Sequence, residues 1–269
     1  MNAGQWAGRW LGERRVRYDE RDAILYALAL GARSEDLDLI HEDRLRVLPS
    51  FALTLAQWAP DALGSAGAFD TRTAVHGAQR LEVLRPLSRS GELHLQARVG
   101  AVWDKGSAAV FEVEAESDHV VATWSIFAPG CGGFGGERGP SGPCDDLAGA
   151  TELRVPTYAT QAATYRLLGD RHAMHVDPDA ARAAGQPRPF LHGLCTLAAI
   201  TLEVARYTGA HPADLRSLAG RFAAPVFPGE QLAVQIAPGS TSLFEAKVGD
   251  RTVISAGRVS FAADAVARG

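Results

Sequence analysis

Residues 165–196 read YRLLGDRHAMHVDPDAARAAGQPRPFLHGLCT. Gly169-Asp170 closes an apolar strand or turn, and His172 and His175 follow within a few residues. Asp177-Pro178 then reads as a helix start, with Asp as N-cap and Pro at the first helical position. Ala180, Ala181, Ala183 and Ala184 propagate that short helix and Gly185 closes it. A carboxylate and two imidazoles therefore sit on a loop just ahead of a helix, a usual place for chemistry. Pro187-Arg188-Pro189 follows, then Phe190-Leu191-His192-Gly193, then an apolar run from 194 to 207 without breakers. Gly193 thus opens a buried helix, where free backbone N–H groups and the positive dipole end suit a developing oxyanion. Asp170 and His175 have the makings of an acid–base pair, because imidazole exchanges protons near neutral pH. The same spacing also fits a structural turn, and three such groups can hold a metal. No further ligand of recognisable spacing stands out, so no metal is expected.

Outward from this segment, glycines and prolines crowd residues 129–143, too many breakers for a helix or strand. That stretch reads as a linker or wrapping loop, and residues 145–158 read as further connection. The chain splits there into halves of similar length that resemble each other weakly. Each has a helical segment containing or leading to a His-Gly pair, His76-Gly77 in the first and His192-Gly193 in the second. Each then shows a Pro-to-Gly turn and alternating strands, such as Leu93, Leu95, Ala97 and Val99. Two strand-rich halves, each with one main helix, predict an α+β fold built by duplication.

Composition narrows the function. The 269 residues are 46% hydrophobic and 22% charged, with a formal net charge of −4. That is globular composition, and the charge argues against a general nucleic-acid binder. Cys131, Cys144 and Cys195 are too few and too irregular for a disulfide framework, and no C-x-x-C pair is present. No signal peptide, apolar span or peroxisomal address is visible, so a reducing, cytoplasmic compartment with no membrane partner is expected. No P-loop, Gly-x-Ser-x-Gly elbow or dinucleotide fingerprint appears. Of the 27 basic residues only Lys105 and Lys247 are Lys.

The 165–196 segment resembles the hydratase 2 motif of MaoC-like (R)-specific enoyl-CoA hydratases. That pattern runs Tyr-x-Leu-x-Gly-Asp-x-Asn-Pro-Leu-His, then Asp-Pro, then Pro-x-Leu-His-Gly-Leu-Cys-Thr. The first half adds YDERDAILYALALGA, AVHGAQRLEVLRPLSRSGEL, VWDKGSAAV and APGCGGFGG, and RFAAPVFPGE follows near the end. These are similar to the hydratase part of peroxisomal multifunctional enzymes, in order and over nearly the whole chain.

The resemblance implies a double hotdog, two antiparallel sheets each wrapped around a long central helix. Its parts would be an acyl-chain-accommodating N-terminal hotdog at 1–130, a Gly/Pro-rich linker at 131–155 and a catalytic hotdog at 156–269. It implies reversible addition of water to trans-2-enoyl-CoA, giving (3R)-hydroxyacyl-CoA. Asp170 and His175 would activate the water and the Gly193 N–H would hold the thioester oxygen. His76, Gly77, Lys105, His172 and Phe222 fall on positions that contact substrate, whereas His192 is expected to be structural. No cofactor is implied beyond the coenzyme A of the substrate, and a homodimer is expected. The chain departs from the pattern where His172 and Ala173 replace the family's Asn and Pro. Three other readings stand beside the hydratase: a dehydratase acting on chains borne by acyl carrier protein, a non-catalytic acyl-CoA binder, and a hotdog thioesterase, against which the motif argues.

Overall fold

The computed structural model describes residues 2–140 and 147–262. Ten strands are described: β1 (Trp10–Tyr18), β2 (Val75–Val83), β3 (Gly91–Asp104), β4 (Ala108–Glu116), β5 (Val120–Pro129), β6 (Thr151–Pro156), β7 (Leu215–Phe222), β8 (Gln231–Ala237), β9 (Ser242–Val248) and β10 (Arg251–Phe261). All pairings are antiparallel, and the sheet order is β1-β3-β4-β5-β2-β7-β10-β9-β8-β6. Read inward from either edge, each half places its own strands in the order first, third, fourth, fifth, second. The halves are thus topological copies, and the two expected sheets join edge to edge where β2 pairs β7, with Leu81 opposite Leu218. The predicted alternation holds in β3, where Leu93, Leu95, Ala97 and Val99 are all buried.

Helices α1 (Glu20–Leu30), α2 (Leu37–Ile40), α3 (Ala52–Leu55) and α4 (Trp58–Ser65) belong to the first half, and α5 (Gln161–Tyr165), α6 (Pro178–Ala183) and α7 (Gly193–Thr208) to the second. α7 is the expected long helix. It buries nearly every residue from Leu194 to Ala205, as a helix that is apolar all round must. Its N-terminal counterpart is divided. α3 stops at Leu55 and α4 resumes at Trp58, and Pro60 has no N–H to give the Ala56 carbonyl one turn back. α6 starts as its sequence predicts: the Asp177 side chain accepts from the Asp179 and Ala180 N–H groups, with Pro178 at the first position.

One expectation about the connection changes. The expected linker runs to 155 and the connecting stretch to 158, yet Thr151–Pro156 forms edge strand β6, paired along its length with β8. Only Leu153 and Val155 turn inward, too few for alternation to declare itself. Residues 131–140 take the wrapping-loop alternative: the Gly133 and Gly135 N–H groups donate to the Asp104 carboxylate at 2.9 and 2.8 Å. Gly142, Pro143 and Cys144 lie outside the described residues.

Candidate active site

The loop between α5 and α6 is pressed against the first half. Gly169 holds φ +136°, a backbone region that side chains rarely adopt, and a Cβ there would sit 3.6 Å from the Thr54 carbonyl of α3. This turn delivers Asp170 to the seam between the halves. From the other direction, the chain entering α7 brings Phe190, His192 and Gly193 to the same place.

Each imidazole has its proton position fixed by an acceptor. His175 Nδ1–H donates to the Phe190 carbonyl at 2.8 Å, which leaves Nε2 with its lone pair free to accept a proton. His192 Nε2–H donates to the Asp170 carbonyl at 3.1 Å. The His175 and His192 rings stack with centroids 3.7 Å apart. His172 Nδ1–H donates to Asp170 Oδ1 at 2.6 Å. His76, at the start of β2, donates Nε2–H to the Ala78 carbonyl at 2.9 Å, and its ring meets Phe222 of β7 at 4.7 Å. Phe222 in turn lies so close over α7 that a Cβ on Gly193 would fall 2.9 Å from its ring. Only glycine fits there, and its N–H is a first-turn amide with no partner inside the helix.

Burial and charge then sort the groups. Burial raises the Asp170 carboxyl, but the His172 hydrogen bond and the surrounding imidazoles outweigh it and hold the group well below the usual carboxylate range. Burial lowers His175. It pushes His192, also beside His175, down to about 3, and His76 down to about 4. The Asp170 bond raises His172. Near neutral pH the site therefore holds an anionic Asp170 and a neutral His175 with a free Nε2, while His172 is shifted toward its protonated form.

The fold thus gathers Asp170, His172, His175, Gly193, His76 and Phe222 across the β2–β7 seam. Gly77 sits beside them at a register shift of β2, its Cα face 3.4 Å from the Ser125 carbonyl where a Cβ would go. Lys105 is not brought to this cluster. It sits in the β3–β4 turn, and its ammonium donates to the Arg138 carbonyl. His192 acts as expected for a structural residue, although through its stack on His175 rather than as a side-chain cap of α7. Ligand atoms of Asp170, His175 and His192 lie within 4.8 Å of one another. Bonds of about 2.1 Å to one ion bring donors to within about 4.2 Å even when opposed, and one nitrogen of each ring is already committed to a backbone carbonyl.

Sequence reasoning missed a cleft beside the loop that carries Asp170. A cleft of about 380 Å³ runs from Gly169 to Thr54, Gln57, Trp58, Asp61 and Arg14 of the first half. Asp61 lines this cleft, and Gln57 donates to it at 3.4 Å. A lone acid within the apolar run AQWAPDALG was the only signal available.

Comparison with known proteins places the chain in a family. Residues 16–128 match the MFE-2 hydratase 2 N-terminal domain and residues 148–258 match the MaoC like domain. The chain belongs to the MaoC-like hydratase 2 family. An enoyl-CoA hydratase of Mycobacterium tuberculosis is 37% identical over 235 residues, covering 80% of this chain and 82% of that one. The peroxisomal enoyl-CoA hydratase 2 of Arabidopsis thaliana is 33% identical over 274 residues, covering 90% and 89%. The crystal structure of a MaoC-like dehydratase from Phytophthora capsici superposes over 100% of both chains with a TM-score of 0.88 at 25% identity. Within this MaoC-like fold, Asp170 and the histidines gather at the seam between the hotdogs.

Proposed function

We propose that the chain is an (R)-specific 2-enoyl-CoA hydratase, adding water reversibly to trans-2-enoyl-CoA to give (3R)-hydroxyacyl-CoA. The observation that carries this reading is the pairing of an anionic Asp170 with a neutral His175 whose Nε2 is free, beside the amide that opens α7. Asp170 and His175 hold one water between them. His175 Nε2 takes a proton as the water oxygen adds to C3. Charge then moves onto the thioester oxygen, where the Gly193 N–H and the α7 dipole stabilise it. The proton on His175 passes to C2, so one water is consumed and both groups return to their starting state. Coenzyme A arrives with the substrate, and the steps require neither a metal nor a redox cofactor. Lys105, on its hairpin outside the cluster, is assigned to a CoA phosphate as a point charge.

The test is loss of the conjugated-thioester absorbance with crotonyl-CoA and a longer trans-2-enoyl-CoA, followed by product chirality. Asp170→Asn and His175→Ala should each lower kcat by about 10²–10⁴. Acyl-CoA binding without turnover in the unmodified protein would leave the non-catalytic binder. The same chemistry in reverse is dehydration, the activity named for the Phytophthora capsici structure. A (3R)-hydroxyacyl chain on acyl carrier protein is the substrate that discriminates this second reading, through a higher kcat/KM than its CoA ester. The proposal extends to a cytoplasmic homodimer, read by sedimentation. Among the described residues no helix is long and apolar enough to cross a membrane.

A further inference from the structure

Two segments lead outward from the seam, side by side. One is the chain entering α7, the other the loop that leaves β7. At their inner ends the Phe222 ring covers Gly193, where a Cβ would fall 2.9 Å from it. Further out, the Leu191 N–H donates to the Val226 carbonyl at 2.7 Å. At the outer ends the Arg188 guanidinium lies over the Phe227 ring, 4.7 Å from its centroid. Between Arg188 and Leu191, Phe190 holds His175 through both its carbonyl and its ring. The contact of Arg188 with Phe227 is therefore the outermost of a series that begins at the amide of the site.

The ring beneath Arg188 is fixed in place. Glu230 accepts the Phe227 N–H at 2.8 Å, and its two oxygens accept from the Arg251 guanidinium at 2.8 and 3.0 Å. Arg251 also donates to the Pro225 carbonyl and lies 5.6 Å from the centroid of the same ring. One ring thus carries two guanidinium groups. Arg251 is neutralised by Glu230, whereas Arg188 is exposed and has no ion pair among the described residues. A cation–π contact orients a guanidinium without using up its N–H groups. The planar fork stays available, and it matches the spacing of phosphate oxygens. Strand register puts this platform at the end of the sheet that also carries the Lys105 turn. Ala108 lies opposite Pro129, Val75 opposite Phe127, Ala78 opposite Arg221 and Phe222 opposite Ile254.

We propose that Arg188, held over Phe227, binds the phosphate ester at the end of the pantetheine arm of the thioester substrate. The assignment rests on the hydratase reading, which puts the thioester oxygen at the Gly193 N–H. The chain from Arg188 to Gly193 spans at most about 18 Å when fully extended, a gap that a pantetheine arm bridges. The ligand chemistry is shared by two sources: the diphosphate of coenzyme A and the phosphodiester of a carrier protein's prosthetic arm.

The kinetic test gives Arg188→Gln, Phe227→Leu and Phe227→Trp the same trans-2-enoyl chain on coenzyme A, on 4′-phosphopantetheine and on pantetheine, which has no phosphate. Arg188→Gln should raise KM for the first two about ten-fold with kcat little changed, because the contact is the same in ground and transition states. The rise should shrink as salt is added. Phe227→Leu should raise the same two KM values about three-fold, and Phe227→Trp, which keeps a ring, should not. An equal rise in KM for the pantetheine thioester overturns the proposal, since a distorted site loses all three substrates alike. So does a rise confined to the coenzyme A ester, which would put Arg188 on the nucleotide rather than on the arm. Calorimetric titration with free coenzyme A separates this contact from the hydratase reading. Binding about ten-fold weaker in Arg188→Gln than in the unmodified protein supports it even where no CoA ester is hydrated, and equal binding overturns it. The enoyl carrier protein distinguishes the sources. A larger loss of kcat/KM on it than on the CoA ester assigns the carrier's phosphodiester to Arg188, and the reverse assigns the diphosphate of coenzyme A.

Discussion

At the scale of single residues, the proton on His175 sets a pH limb. Its Nδ1–H is committed to the Phe190 carbonyl, so Nε2 alone can act as base, and it acts only while unprotonated. Burial lowers this histidine from its ordinary value of 6.5, and Asp170 ionises well below that. As pH falls, protonation of His175 is therefore the first event that stops catalysis. The acid limb of kcat/KM is expected below pH 6.5, and a limb at or above 6.5 would place the base on another group. The grouping of these residues was largely legible in the sequence, because Asp170, His172, His175 and Gly193 lie within one short segment whose caps and breakers fix its local shape. The resemblance supplied what spacing alone left open between a turn, a metal site and an acid–base pair. Asp61 was not legible. It comes from the other half of the chain, and only the contact of α3 with the catalytic loop brings it near.

At the scale of elements, caps announced α6 and an unbroken apolar run announced α7, whereas one connecting piece was misread and another was left open between linker and wrapping loop. Edge strand β6 has only two inward side chains, so nothing marks it until β8 offers its hydrogen bonds. The glycine-rich strap beyond β5 read as either a linker or a wrapping loop, because glycine shows conformational freedom and hides what its backbone will bind. Here the strap amides bind a carboxylate. Asp104 accepts N–H groups from Gly133, Gly106 and Gly135, which lower it to about 2 from an ordinary 3.8. A carboxyl depressed in the fold contributes stability that is complete above its unfolded value and is lost as pH falls through its folded one. Asp104→Asn should therefore lower Tm at neutral pH, and the gap between the two proteins should close between about pH 4 and pH 2. Thermal melts over that range check it, and a gap that is constant with pH would assign the loss to packing instead.

At the scale of the whole molecule, two five-strand sheets of identical order share one seam, and the seam is both the joint of the fold and the floor of the site. This order could not be read from the sequence, since β2 and β7 lie in different halves and no local pattern links them. Their union buries histidines that would be well hydrated in an unfolded chain. His76 lies on β2 against Phe222 of β7, and His192 packs beneath His175 at the entrance to α7. Burial depresses them to about 4 and about 3 from an ordinary 6.5. Between those limits the unfolded chain binds protons that the folded one refuses, so stability falls as pH falls. The loss starts near 6.5 and continues to about 4 for His76 and further for His192. Because both rings sit where the halves meet, the protein should lose its fold in one cooperative step over this range, with Tm declining steadily from pH 6.5 to pH 4. His76→Asn should start from a lower Tm, because the ring contact with Phe222 is gone, yet decline less steeply. An identical slope in that variant would mean that the seam is not the acid-sensitive element.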